Sequence, residues 1–188
     1  MESSQDHHLP TIRVFRKAFT GSFKEATSGH VELHEQDEAL VHEATSWLYV
    51  GDVAKKDEKT SLAFWVDLSM VGDYLGIESL RRFANSHFET MVENRKTEIF
   101  KQWNSVVRDP SKIDTKEIED LFHAANVAYN MEASSSRFLR RTLLKFMLDT
   151  KYIAGVNAQF AARIADYPLF AADIRPTPPE VHWGSPMS

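Results

Sequence analysis

The chain has 188 residues, of which 43% are apolar and 26% charged, and these proportions are typical of folded globular proteins. They exclude a fully disordered chain and a fibre, and the length suits one ordinary domain or one small domain with a helical extension. The net charge of −5 argues against non-specific nucleic-acid binding, which depends on clustered lysine and arginine side chains.

The absence of cysteine excludes several kinds of covalent bond and functional site. Without cysteine the chain cannot form disulfides, use a catalytic thiol or ligate zinc through sulfur. Residues 1–10 are polar and lack the apolar run of a signal peptide, and we expect them to be disordered. No apolar stretch approaches the roughly 20 residues that a membrane-spanning helix needs. We therefore expect a cytoplasmic or nuclear protein, with no membrane segment, whose partners are other proteins.

The beginning of the chain is predicted to contain a helix, a strand and a second helix. Residues 13–19 are interpreted as a helix, since Gly21 follows and can end it. Residues 30–34 alternate polar and apolar side chains, which is typical of a strand that buries one face. The second helix begins at Asp37 and ends near Gly51, and its apolar residues recur at helical spacing: Leu40, Ala44, Trp47 and Leu48.

Two further helices are predicted after a charged loop at residues 55–60. The first covers residues 62–75 and ends near Gly76. We interpret His87, in the second, as a core side chain rather than a catalytic base, because it lies on an apolar stripe. This stripe is the most regular in the sequence and consists of Leu80, Phe83, Ala84, His87, Phe88 and Met91.

The helical pattern breaks around Pro110, because proline disfavours a helix at the preceding residue. Asp114 and Glu117 then resemble a capping pair at the start of another helix, and residues 134–136 separate that helix from the next. Two apolar stripes support these helices: Ile118, Leu121, Phe122, Ala125 and Ala128 in the first, and Leu139, Leu143, Phe146 and Met147 in the second.

A basic cluster occurs in the last of these helices. Arg137, Arg140 and Arg141 are interpreted as a solvated face rather than a binding site, since a short basic cluster implies little in an acidic chain. From residue 174 onward the chain is rich in proline, which a packed core cannot use, and this tail is predicted to be disordered.

The sequence offers little that points to catalysis. It contains neither a glycine-rich phosphate loop nor a nucleophile elbow. Glu117 and Asp120 are expected on exposed helical faces, where nothing would shift a pKa toward acid–base work. We therefore expect no enzymatic activity and no cofactor.

One alternative is a metal site on the predicted strand at residues 30–34. His30, Glu32 and His34 would share one face of that strand, as zinc ligands do. The same alternation is the ordinary pattern of solvent-facing residues on a half-buried strand. We favour the solvent-facing interpretation, and a metal-dependent enzyme stays as an alternative hypothesis.

Four segments, in order along the chain, resemble parts of the BTB/POZ domain in the form common in fungal proteins. Residues 15–25, 30–33 and 47–52 are similar to the middle of that domain, and residues 66–81 are similar to the helical hairpin near its end. The resemblance implies a fold of the α+β class that is mostly helical.

The resemblance also implies a domain organisation. A partial BTB/POZ domain would occupy residues 11–93, followed by a linker at residues 94–113 and a helical extension at residues 114–173. The disordered tail would then cover residues 174–188. Gly72 and Leu75 replace the alanine and the tyrosine that are usual in the family's hairpin, and we expect this to loosen the packing there.

Three residues are implied as a partner-binding site. Phe23, Lys24 and Glu25 match the hydrophobic–any–glutamate motif that cullin-binding members of the family carry. Only 14 residues precede Phe15, whereas complete family members have a strand pair and a dimer-forming helix there. Self-association is therefore expected to be weak.

The function that the resemblance implies is a protein–protein interaction module. In its most specific form, the chain would be a substrate adaptor for a cullin-type ubiquitin ligase. An alternative is a transcriptional co-regulator scaffold that uses the same surfaces without recruiting a ligase.

Overall fold

A computed structural model describes residues 28, 37–53, 61–102, 104–105, 109, 114–150 and 158–174. Within these ranges seven α-helices follow one another, with a short 3₁₀ turn at Ile164–Asp166 before the last. The helices are α1 (Glu38–Val50), α2 (Leu62–Leu75), α3 (Glu78–Lys101), α4 (Thr115–Asn130), α5 (Ala133–Asp149), α6 (Ala158–Arg163) and α7 (Pro168–Ile174).

The predicted α+β class is wrong for this part of the chain, which is all-α. The described residues are 88% helical and contain neither a strand nor a sheet. The physical reason is the spacing of apolar side chains in these ranges. They recur every three or four residues, as in a helix, rather than at every second residue, as in a half-buried strand. The predicted strand at residues 30–34 lies outside the described residues.

Local signals explain where α1 and α2 begin and end. The Asp37 carboxylate accepts hydrogen bonds from the backbone N–H groups of Ala39 (2.8 Å) and Leu40 (3.1 Å), which caps the start of α1. Gly51 and Gly76 follow the two helices with φ angles of 72° and 70°, a left-handed conformation that glycine adopts without strain. Both predicted helices are therefore confirmed.

The hydrophobic core surrounds α2, which packs against α1, α3 and α4, while α5 packs against α3 and α4. Trp65 of α2, Phe88 of α3 and Phe122 of α4 are all fully buried. They belong to one continuous cluster that also includes Leu143 of α5. This cluster includes residues on both sides of the predicted linker at residues 94–113, and α3 itself continues to Lys101. The division into two domains stays a prediction.

The aromatic residues of α1, α2 and α3 pack against one another. The Trp47 ring lies 4.5 Å from the ring of Phe83, and the indole N–H of Trp47 donates to the Ser79 hydroxyl at 3.1 Å. His87 stacks on Trp65 with 4.4 Å between ring centroids. The stripe of α3 therefore takes part in the core, as its spacing predicts.

Gly72 permits a close approach between α2 and α3. A Cβ atom at this buried position would lie 3.0 Å from the backbone nitrogen of Arg81, closer than ordinary van der Waals contact. The glycine predicted to loosen the packing of this hairpin therefore lies where the two helices approach each other closely.

The C-terminal helices pack onto α4 through aromatic contacts. Phe160 of α6 lies 4.8 Å from Phe122, and Phe170 of α7 lies 5.6 Å from Tyr129, measured between ring centroids. The Tyr129 hydroxyl donates to the Asp173 carboxylate at 2.7 Å, which ties α7 to α4. Burial and this neighbouring carboxylate raise the pKa of Tyr129 well above its ordinary value.

Candidate interaction surface

The residues that the sequence singled out for function lie outside the described ranges. This holds for the proposed partner-binding residues Phe23, Lys24 and Glu25, and also for the alternative metal ligands His30, Glu32 and His34. Across residues 37–53, 61–102, 114–150 and 158–174, no three histidine, aspartate or glutamate side chains come together as metal ligands would.

The most heavily bonded polar group of the described core is Asp120 on α4. Its carboxylate accepts hydrogen bonds from the Ser61 hydroxyl (2.7 Å) and from the backbone N–H groups of Leu62 (2.8 Å) and Ala63 (2.7 Å). The Arg95 guanidinium pairs with the same carboxylate, and both side chains are largely shielded, with 12% of Asp120 and 15% of Arg95 exposed. Asp120 thus caps α2 from a neighbouring helix.

The electrostatics of Asp120 match this structural role. Burial alone would raise the pKa of the carboxyl, but the hydrogen bonds from Ser61, Ala63 and Leu62 and the charge of Arg95 outweigh it, so the pKa is lowered. Asp120 therefore stays ionised near neutral pH and cannot serve as an acid. The prediction that it lies on an exposed face is wrong, because the packing of α2 on α4 covers it.

Glu117, one turn earlier on α4, lines a small cavity. The cavity has a volume of about 20 Å³, room for about one water molecule, and is otherwise lined mainly by apolar side chains such as Leu62 and Phe146. Burial raises the pKa of Glu117, although the nearby charge of Arg95 opposes the shift. Glu117 is thus also covered rather than fully exposed, but the cavity is too small for a substrate.

His123 and Asp67 form a hydrogen-bonded pair between α4 and α2. The His123 Nε2 atom lies 2.9 and 3.0 Å from the two carboxylate oxygens of Asp67. The pKa of Asp67 is raised because burial, the largest effect, outweighs the hydrogen bond from His123, which lowers it. A His–Asp pair can orient a catalytic histidine, but that arrangement also needs a nucleophile at the free ring nitrogen. The contacts of this pair in the described ranges supply only a bridge between two helices.

The basic cluster of α5 divides into two kinds of residue. Arg140 donates to the backbone carbonyls of Ala128 (3.0 Å), Tyr129 (3.3 Å) and Met131 (3.2 Å), and it also lies over the Tyr129 ring at 4.7 Å. It thereby satisfies carbonyl groups that the end of α4 leaves without helical partners. The prediction of a solvated face is wrong for Arg140, because the end of α4 packs against it.

Arg137 and Arg141, by contrast, are exposed. Neither guanidinium forms a hydrogen bond or an ion pair within the described part of the chain. Both guanidinium groups lie at the surface of α5, where a partner could reach them.

An open groove of about 490 Å³ runs between α3 and α5 beside these two arginines. We call it the arginine groove and define it by Arg81, Arg82, Glu89, Arg137, Phe138 and Arg141. Arg81 joins its two walls, since its guanidinium donates to the backbone carbonyl of Ser135 at 3.5 Å. Glu78 pairs with Arg81 (2.7 Å) and Arg82 (2.9 Å), whereas Arg137 and Arg141 have no acidic partner among the described residues.

A second groove of about 520 Å³ extends along α5 and shares Arg137 and Arg141 with the first. We call it the α5 groove; its other side chains include Arg140, Leu144, Lys145, Leu148 and the acidic Asp149. Leu148 is 59% exposed and Phe138 in the neighbouring groove is 38% exposed, high fractions for large apolar side chains. The outer face of α5 therefore combines free positive charge with uncovered apolar surface.

Sequence reasoning found the arginines but assigned them to solvent. The signal that could have identified the surface is the spacing of Arg137, Arg141, Leu144 and Leu148, which places these side chains on the same side of a helix. The groove itself depends on how α3 packs against α5, and no local pattern specifies that packing.

The comparisons with known proteins identify no relative. No family model, no curated protein and no solved structure matches the chain. Among the helices that the structure describes, none combines the length and the apolar character needed to cross a membrane.

Proposed function

We propose that this chain is a non-enzymatic protein–protein interaction module. The observation that carries the proposal is the outer face of α5, where Arg137 and Arg141 are exposed beside the exposed side chains of Phe138 and Leu148 and have no partner within the described ranges. Arginine and aromatic residues are enriched at the energetic centres of protein interfaces. The most heavily bonded polar residue of the described core, Asp120, has a structural role, because its contacts hold helices together.

In its more specific form, the proposal is a substrate adaptor for a cullin-type ubiquitin ligase in the cytosol or nucleus. Its support is the resemblance of Phe23-Lys24-Glu25 to the motif of cullin-binding BTB/POZ proteins. A co-regulator scaffold that recruits no ligase would use the same kind of protein-binding surface.

The general proposal is tested by comparing captured proteins between matched variants. Three proteins are compared: the parent, the double variant Arg137→Glu/Arg141→Glu and the control Lys101→Glu/Lys116→Glu. The two variants change the net charge by the same amount. Lys101 and Lys116 line neither groove. Quantitative mass spectrometry should find proteins that the parent and the control retain and the groove variant loses. Identical captures by all three chains would refute the proposal.

The adaptor form has its own test, a binding titration against the N-terminal region of a cullin. We expect binding by the parent and a loss of about 2 kcal/mol or more on Phe23→Ala, with helical content unchanged by circular dichroism. Absence of binding by the parent at high micromolar concentration would remove the adaptor form and leave the co-regulator scaffold.

A further inference from the structure

The charge of the arginine groove is opposite to that of the whole chain. The chain carries a net charge of −5, yet the arginine groove contains four arginines and a single acidic residue, Glu89. Acidic neighbours neutralise only part of this charge, because Glu78 pairs with Arg81 and Arg82 but not with Arg137 or Arg141. The groove is therefore a local positive region on an acidic protein.

Apolar side chains lie between the cations of this face. Phe138 lies in the arginine groove beside Arg137 and Arg141, and Leu144 and Leu148 lie in the α5 groove. The distance from Arg137 to Leu148 along α5 is about 16 Å, since an α-helix rises about 1.5 Å per residue. This length corresponds to about three helical turns of a bound segment.

We propose that the arginine groove and the α5 groove together bind an acidic, amphipathic peptide segment of another protein. Carboxylates of the segment pair with Arg137 and Arg141, whose planar guanidinium groups can hold a carboxylate through two hydrogen bonds. Apolar side chains of the segment cover Phe138 and Leu148, as in the known mode where an amphipathic helix lies in a groove. The inference rests on the proposed function and names the chemistry of the partner.

An acidic peptide fits these grooves better than a nucleic acid does. Nucleic-acid binding depends on many cations that follow a phosphate backbone, and the acidic chain as a whole repels such a polymer. The exposed apolar surface of Phe138 and Leu148 would gain nothing from phosphates but would be buried by leucine or phenylalanine side chains. Charge and apolar surface together therefore favour a carboxylate-bearing peptide.

The test is a fluorescence anisotropy titration with a labelled synthetic peptide of about four helical turns. The peptide carries glutamate on one side and leucine and phenylalanine on the other, and a matched control peptide has every glutamate replaced by glutamine. The proteins are the parent, Arg137→Glu/Arg141→Glu, the milder Arg137→Gln/Arg141→Gln, and the charge-matched control Lys101→Glu/Lys116→Glu. Circular dichroism melts establish that each variant is folded.

We expect the parent and the control to bind the acidic peptide with similar affinity. Charge reversal in the groove should weaken binding by about tenfold or more, and the glutamine variant by a smaller factor. Binding should also weaken as salt increases, because the pairing cations are exposed. Phe138→Ser should weaken binding without abolishing the salt dependence.

Two outcomes would overturn the proposal: binding of the acidic peptide by the groove variants as tight as by the parent, or binding of the glutamine peptide as tight as that of the acidic peptide. A third would be binding of the parent to vesicles of anionic lipid, measured in parallel, with no binding of the peptide. The capture experiment proposed above distinguishes a failure of the interaction function from a failure of the acidic-peptide proposal. If groove variants lose captured proteins but no acidic peptide binds, the interaction function stands and the acidic partner does not. If captures are also unchanged, both fail.

Discussion

Asp120 and Arg140 show how single polar residues hold neighbouring helices in place. Asp120 caps the start of α2 from α4, and Arg140 binds the end of α4 from α5. Among the described residues, Ser136 carries the one buried side-chain oxygen or nitrogen without a hydrogen-bond partner. Buried polar groups normally need hydrogen-bond partners, so these contacts determine how the neighbouring helices pack against each other.

Removal of the Asp120 carboxylate should destabilise the fold severely. Asp120→Ala leaves Arg95 shielded without its ion pair and removes the cap of α2, so we expect a loss of about 3 kcal/mol or more in unfolding free energy. The matched control is Glu119→Ala on the same helix, whose exposed pair with Arg163 should contribute about 0.5 kcal/mol or less. Urea unfolding measures the unfolding free energy of both variants. Equal losses would show that the contacts of Asp120 do not hold α2 and α4 together.

Arg140→Lys should be destabilising although it keeps the charge. A lysine cannot donate in the fixed planar geometry that reaches three carbonyl groups, so we expect a loss of about 1 kcal/mol. Arg137→Lys on the same helix should leave the melting temperature unchanged, since that guanidinium has no partner among the described residues. Similar melting temperatures for both variants would contradict the assigned role of Arg140.

Glu117 should make stability depend on pH in a defined direction. Its pKa is raised above the ordinary value of 4.5, so the ionised form is disfavoured in the folded state. The resulting destabilisation is present above the raised pKa and is lost as the pH falls below 4.5. Glu117→Gln should therefore be more stable than the parent at pH 7.

Asp120→Asn is the control for this pH dependence, because ionisation of Asp120 should stabilise the fold whereas ionisation of Glu117 destabilises it. The pKa of Asp120 is lowered from 3.8, so its stabilisation is present above that value and is lost as the pH falls through the folded-state pKa. Thermal melts of both variants across pH 3 to 7 measure the two effects. A Glu117→Gln variant that is less stable than the parent at every pH would refute the account of Glu117.

At the scale of whole elements, the helices of the described ranges were largely predictable from the sequence. Apolar stripes and end signals such as Asp37 and Gly76 are local, so a single stretch of sequence carries them. The burial of Asp120 was not predictable, because it depends on which helix α4 meets. The α+β class was wrong for the described ranges because it came from the family resemblance, whereas the apolar residues of these ranges follow helical spacing.

The apolar stripe of α3 gives a test of how its buried face is assigned. Phe88 is fully buried between helices, so Phe88→Ala should cost about 3–5 kcal/mol through the cavity that it leaves. Phe100 on the same helix is 45% exposed, and Phe100→Ala should cost much less. Thermal melts compare the two variants, and a Phe88→Ala protein that melts within a degree of the parent would show that the helix is placed wrongly.

At the scale of the whole molecule, the described helices form one core with a charged surface of mixed character. The chain is acidic, but α5 presents Arg137 and Arg141 beside Phe138 and Leu148. The sequence alone could supply the residues of this face but not the arginine groove, because that groove arises from contacts between α3 and α5. The candidate interaction surface is therefore a property of the packing.

The most direct test of the central claim, that partners bind on this face, is site-specific photo-cross-linking. A photo-reactive phenylalanine analogue is placed at position 138 in the arginine groove and, as a control, at position 169 in α7. Leu169 is 60% exposed but belongs to neither groove. We predict that proteins captured by the chain cross-link from position 138 and not from position 169. Cross-links from position 169 with none from position 138 would contradict the account.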